Sequence, residues 1–186
     1  MEAKEIFQSG FENVARTVDR TLDGLTQAEL AWHPRPDANS IGLILFHSIR
    51  SEDHAIKRLQ GNPEIWESGK WYQKLNKAID DGGAHYTAEQ VANFVVPDLK
   101  ELLVYTAAVR KETLNYLQGL KSTDLDRKVV LPPPPVQMAL PAGMKAPPWP
   151  PFNPMVGLML MREITHLSQH AGEISYLRGL QRGMDK

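Results

Sequence analysis

Two histidines, His166 and His170, stand one helical turn apart in the stretch "ITHLSQHAGEISYLRGLQRG" near the end of the chain. Side chains four apart on a helix are neighbours, with Cβ atoms about 6 Å from each other. Both rings can therefore aim a nitrogen at one ion about 2.1 Å away. Two ligands do not make a tight site, so a third has to come from another element. Six histidines scattered over 186 residues give such a pair by chance often enough that the spacing alone is a hint. The bland alternative is a helix with two partly buried or surface imidazoles.

His47 supplies the third candidate. It lies in the apolar run "IGLILFHS", with Ile44 one turn before it and Ile41 near two turns before, so it is predicted to face the interior. A lone interior histidine is more often a hydrogen-bonded core residue. One interior histidine on one helix and an interior pair on another favour a metal. His54 follows His47 on the same face, but about 10.5 Å further along the axis, too far for both to ligate one ion. It is assigned to the surface or to the rim of a pocket. His33 and His85 fall in predicted loops and receive no role.

Glu163 stands three residues before His166, and Glu173 three after His170, on one stripe. Interior carboxylates are costly unless they meet a cation or an imidazole. Carboxylates that orient ligating histidines are common. Glu163 is the candidate catalytic residue, as an orienting partner, a fourth ligand, or a general base acting on water at the metal. The plainer alternative pairs either glutamate with Arg162 or Arg178 in solvent. "EITH" also matches the Glu-x-x-His motif of di-iron bundles. The second helix offers only "SEDH", with Glu52 and His54 two apart, and the di-iron reading is set aside.

These residues need helices to position them. Phe7, Phe11, Val14, Val18 and Leu22 recur at the helical period, up to a stop at Gly24. "TQAEL" reads as a capping box, with Thr26 as cap and Glu29 answering it. "AWHPRPDANS" is a proline-broken connector. The second helix is predicted to start at Asn39 or Ser40 and to end near Gln60 and Gly61, burying Ile41, Ile44, Leu45, Ile49 and Ile56. Asn62 to about His85 is polar and aromatic with a "DGG" break, and reads as irregular structure or a short helix. "YTAEQVANFV" offers a second capping box, Thr87 to Gln90.

Pro97 suits the first turn of a third long helix, roughly Asp98 to Leu120. Its face is Leu99, Leu102, Leu103, Thr106, Val109, Thr113, Leu114 and Leu117. "LPPPPVQMALPAGMKAPPWPPFNP" is too rich in proline for a helix or a central strand and reads as a long extended excursion. Asn153 is then predicted to cap a fourth long helix with Pro154 at its first position, running to about Leu180. The expected fold is all-α: one domain over residues 1–186, a four-helix bundle with a long proline-rich connection before the last helix.

Composition narrows the chemistry. Hydrophobic residues make up 42% of the chain and charged residues 23%, with a formal net charge of -1. Without a basic excess, no nucleic-acid partner is expected. The absence of cysteine excludes disulfides, thiolate nucleophiles and zinc-thiolate sites, so any metal must use His, Asp or Glu. The first residues carry no apolar signal region, and "PMVGLMLM" is too short to span a bilayer. A cytoplasmic protein with no membrane partner is expected.

Two stretches carry a resemblance to the DinB/YfiT-like metalloenzyme family, whose fold is a four-helix bundle. "WHPRPDANSIGLILFHSIRSEDH" resembles the family's loop and second helix, which delivers its first histidine. "REITHLSQHAGEISYLRGLQRG" resembles its fourth helix, with the paired histidines followed by Gly-Glu-Ile and Arg-Gly. The order and separation of His47, His166 and His170 fit the family's histidine triad. The resemblance covers nearly the whole chain, and the proline-rich segment is the departure from it.

The resemblance implies a divalent metal, zinc or nickel most often, on three histidines with open positions. Relatives include mycothiol-dependent maleylpyruvate isomerase and bacillithiol transferases. It therefore implies a small-molecule substrate, a low-molecular-weight thiol among the candidates, and S-transfer or hydrolysis as the reaction. With no cysteine in the chain, any thiolate must come from a cosubstrate. Trp32, Arg50, Trp149 and Phe152 are candidate walls for its pocket. Family habit and the Met-rich start of the last helix point to a homodimer. The competing expectation is a non-catalytic bundle acting in dimerisation or partner binding through "LPPPPV", with its metal structural or absent.

Overall fold

Ser40 opens the helix that carries His47. Its hydroxyl accepts a hydrogen bond from the backbone N–H of Leu43 (3.2 Å), satisfying one of the donors a helix start leaves unpaired. The helix ends at Gly61, whose left-handed φ of 71° costs a glycine little. The computed structural model describes residues 3–130 and 153–182. The proline-rich excursion over residues 131–152, with Trp149 and Phe152 as pocket walls, lies outside the described residues.

In chain order the helices are α1 (Ala3–Leu22), α2 (Gln27–Ala31), α3 (Ile41–Gln60), α4 (Ile65–Ser68), α5 (Trp71–Lys74), α6 (Ala88–Ala92), α7 (Leu99–Gly119) and α8 (Val156–Arg182), with a 3₁₀ turn at Ser122–Asp126. Capping boxes at Thr26/Glu29 and Thr87/Gln90 start α2 and α6. The four long helices form the bundle: α8 packs against both α3 and α1, and α7 closes against α3 and α1. Leu45, Phe46, Ile49, Leu102, Leu160 and Ile174 are buried between them. Each such side chain contributes roughly 1.5–3 kcal/mol by leaving water. Among the described residues no helix is long and apolar enough to cross a membrane.

Two helix starts differ from expectation. The Asp98 side chain caps α7, accepting from the N–H groups of Lys100 (2.9 Å) and Glu101 (3.2 Å), so Pro97 precedes the helix. On α7, Leu103 is exposed and Tyr105 is fully buried in its place. The tyrosine ring packs on Trp66 and Trp71, and its hydroxyl donates to Asp53 (2.8 Å), which removes the usual cost of burying it. Asn153 is not the cap of α8, nor is Pro154 its first residue. The backbone there pairs with the preceding segment: Val129 N–H donates to Pro154 O (2.8 Å) and Val156 N–H to Arg127 O (3.0 Å). The helix can begin only once that pairing ends.

Candidate metal centre

Because α3 and α8 lie side by side, His47 on α3 meets His166 and His170 on α8. The Nε2 atoms of His47 and His166 are 3.2 Å apart, and those of His166 and His170 are 2.9 Å apart. The three rings stand edge to face, with centroids 4.5–5.2 Å apart. A metal with bonds of about 2.1 Å holds neighbouring nitrogens about 3.0 Å apart at a right angle and about 3.4 Å apart at the tetrahedral angle. The observed spacings fall at that scale. Among the described residues, the group of potential ligand atoms consists of these three histidines.

The opposite edge of each ring decides its proton. His47 Nδ1 lies 3.3 Å from the Gly82 carbonyl oxygen, which can only accept. His170 Nδ1 lies 2.8 Å from the Glu173 carboxylate. His166 Nδ1 faces Ser51 Oγ at 3.2 Å and Glu163 Oε1 at 3.7 Å. The acceptor-only partners of His47 and His170 set those two rings to carry their protons on Nδ1 and to present lone pairs at Nε2, while for His166 the Ser51 hydroxyl can donate or accept and the Glu163 carboxylate favours the same form. Three lone pairs aimed at one point repel one another, and a cation between them converts that repulsion into bonding.

Burial lowers the pKa of His47, and the neighbouring His170 and His166 lower it further, against the raising effect of the Gly82 hydrogen bond and Glu163. A neutral imidazole is the form that binds a metal. The His166 and His170 side chains keep 31% and 18% of their surface, so the centre lies at the wall of the bundle, within reach of small molecules.

Two buried acids lie close enough for their charges to act on one another, and the first of them adjoins His166. Glu163 is buried and its Oε1 has no hydrogen-bond partner, while His166 Nδ1 lies 3.7 Å from it. Glu52 is buried deeper, with Oε1 accepting from Thr113 Oγ1 at 2.6 Å. Burial pushes the Glu52 carboxyl up to about 7, and the charges of Glu163 and Asp53 add to the rise.

The other candidates are placed elsewhere. His54 is exposed and its Nδ1 meets Glu64 Oε1 at 2.5 Å. His33 Nδ1 meets the Ala38 carbonyl at 2.6 Å, and His85 is exposed in a loop. Glu173 pairs with His170 rather than with an arginine. Trp32 is exposed at 38% of its surface. Arg50 is no open pocket wall: it is buried, donates to Glu64 Oε2 at 2.7 Å and stacks 4.3 Å over the Trp66 ring.

Sequence reasoning missed Ser51 and Gly82. Ser51 had a signal, since it stands one turn after His47 on the same helix. Gly82 acts through its carbonyl, which has no side-chain signature. The neighbouring Gly83 marks the place: its φ is 68°, and a Cβ there would lie 2.9 Å from Phe46 Cδ1 and 3.1 Å from His47 Cα. Only glycine lets this loop press against α3.

The sequence model of the DinB superfamily matches residues 11–174. A crystal structure of a conserved protein from Enterococcus faecalis superposes with a TM-score of 0.76 at 23% identity, covering 97% of each chain, a likeness of fold. No curated protein matches the chain.

Proposed function

This chain belongs to the DinB superfamily, and from that premise we propose that it is a divalent-metal-dependent enzyme acting on a small molecule. The metal, zinc or nickel, is held by His47, His166 and His170, and the reaction is S-transfer with a low-molecular-weight thiol, or hydrolysis. The convergence of three Nε2 atoms from two helices, each ring held by its own Nδ1 partner, supports this reading most directly.

A divalent ion on three neutral imidazoles keeps its double charge and supplies the Lewis acidity that lowers the pKa of a thiol or a water toward neutrality. The chain's own residues do the rest. Gly82, Ser51 and Glu173 hold the Nδ1 protons and orient the three rings. Three protein ligands leave room for a substrate, as catalytic rather than structural sites do. With no cysteine in the chain, the thiol of an S-transfer is a cosubstrate. Glu163 lies at the Nδ1 edge of His166, and in this reading it steadies that imidazole's proton as charge changes on the far side of the ring.

The test is the metal content of protein purified without a nickel column or chelator, alongside His47→Ala and His170→Ala. About one equivalent in the wild type, lost in both folded variants, is the expected result. It is followed by a screen of thiol cosubstrates, in which activity must fall with the metal. Protein that takes up neither zinc nor nickel on addition rules the reading out.

A further inference from the structure

His47 is the triad member whose Nδ1 partner is neither on its own helix nor a side chain. The ring is held by a loop, and the loop is held by α3 itself. Arg50 lies one turn after His47. Its Nε–H donates to the Asp81 carbonyl at 3.1 Å, one residue before the carbonyl that meets His47. Trp66 Nε1–H fixes the Ile79 carbonyl at 2.7 Å. The Asp81 carboxylate accepts from Gly83 N–H at 2.9 Å and from the Tyr86 hydroxyl.

We propose that Arg50 is a positioning residue for the metal centre: by clamping the Asp81 carbonyl it sets the Gly82 carbonyl against His47 Nδ1, and so keeps His47 Nε2 turned toward His166 and His170. The guanidinium suits this task because it is a rigid fork. While Nε reaches the loop, Nη1 is held by Glu64 Oε2 at 2.7 Å and lies 3.6 Å from Asp53 Oδ2, and the plane rests on Trp66. Every one of those contacts fixes the direction of the Nε–H. A buried ion pair is a poor source of net stability compared with an apolar filling. What this one supplies is a direction in space. A lysine keeps the charge, but its single ammonium cannot reach the acids and the Asp81 carbonyl in the same geometry.

The inference rests on the metal reading of the triad, and its test separates the two. Cobalt(II) is titrated into the full-length wild type, Arg50→Lys and Trp66→Phe, with ligand-field absorption as readout. The ¹⁵N resonances of the His47 ring are recorded in the metal-free proteins. In folded Arg50→Lys, cobalt affinity is expected to fall about tenfold, the low end for partners outside the ligand shell. The absorption band should change, and His47 should lose its single Nδ1–H form. Unchanged affinity, band and tautomer in folded Arg50→Lys overturn the proposal. If the wild type itself binds no cobalt, the metal reading fails alone and the tautomer decides: kept in Arg50→Lys it overturns the proposal, and lost it supports it. If Arg50→Lys does not fold, Trp66→Phe decides by the same readouts, since it keeps a smaller aromatic face under the guanidinium and removes the Ile79 anchor of the loop.

Discussion

His47 and Asp53 lie on the same helix and head two polar clusters that differ in how fully they are satisfied. Asp53 accepts from the N–H groups of Ile65 (3.1 Å) and Trp66 (2.9 Å) and from the Tyr105 hydroxyl (2.8 Å), beside the Arg50 guanidinium. Each of its partners is a donor. In the triad the Nδ1 edges of His47 and His170 meet acceptors and that of His166 meets a hydroxyl, while the three Nε2 atoms face one another. A cluster whose donors and acceptors match is finished as structure, and it ties α4, α7 and the 79–83 loop to α3. A cluster of converging acceptors is finished only by a cation.

The widest gap between the two comes from truncating one member of each. Asp53→Ala leaves the buried Tyr105 hydroxyl and two backbone N–H groups without their acceptor and removes a buried negative charge beside the Arg50 guanidinium, and is expected to cost about 3–5 kcal/mol. His166→Ala removes a partly exposed ring and is expected to change the stability of the metal-free protein by less than about 1 kcal/mol, while abolishing metal binding. Urea denaturation of metal-free protein, paired with zinc titration, reads both. Equal stability losses in the two variants would erase the distinction.

Glu52 is intermediate: deeply buried, with a single hydrogen bond, from Thr113. Its carboxyl loses a proton near 7 in the folded chain, against an ordinary value of 4.5. The folded state therefore binds more protons between those values, and stability falls as pH rises. This contribution is fully present below about 4.5 and gone above about 7, a loss of roughly 3 kcal/mol at most. Glu52→Gln keeps an acceptor for Thr113 and cannot ionise. Its urea midpoint is expected to exceed the wild type's at pH 8 and not at pH 4.5. Parallel pH profiles for the two proteins would show that Glu52 is not held protonated.

The same contrast explains what was legible in the sequence. Helix ends announced by side chains could be read directly: Ser40 with Gly61, and the capping boxes at Thr26/Glu29 and Thr87/Gln90. The histidines were legible because two share a helical face and the third interrupts an apolar run. Contacts made through the backbone left no such trace. The Gly82 carbonyl on His47 and the pairing that delays α8 past Pro154 depend on which segments meet in space. Arg50 was expected as a pocket wall, because nothing local shows that Glu64 and Trp66 return to it. Leu103 on α7 misled for a related reason: the aromatic cluster draws Tyr105 inward and turns Leu103 out.

The smallest expected effect tests whether charge or geometry matters at the triad's outer edge. Glu173 accepts from His170 Nδ1 at 2.8 Å with a side chain 53% exposed. Water and salt screen its charge, so little of the pairing energy is electrostatic. What remains is a hydrogen bond that holds the ring. Glu173→Gln keeps an amide oxygen able to accept that bond and is expected to weaken zinc binding about threefold or less, below the 10–100-fold seen for buried partners. Glu173→Ala removes the bond and is expected to weaken binding about tenfold. Zinc affinities at low and high salt separate the two causes. A geometric role leaves the ratio of wild type to Glu173→Ala unchanged by salt, whereas a Coulombic role shrinks it and makes Gln as poor as Ala. The latter outcome would mean that the edge of the triad is held by charge, as the Arg50 cluster is, and the contrast between the two regions would narrow to the three Nε2 atoms alone.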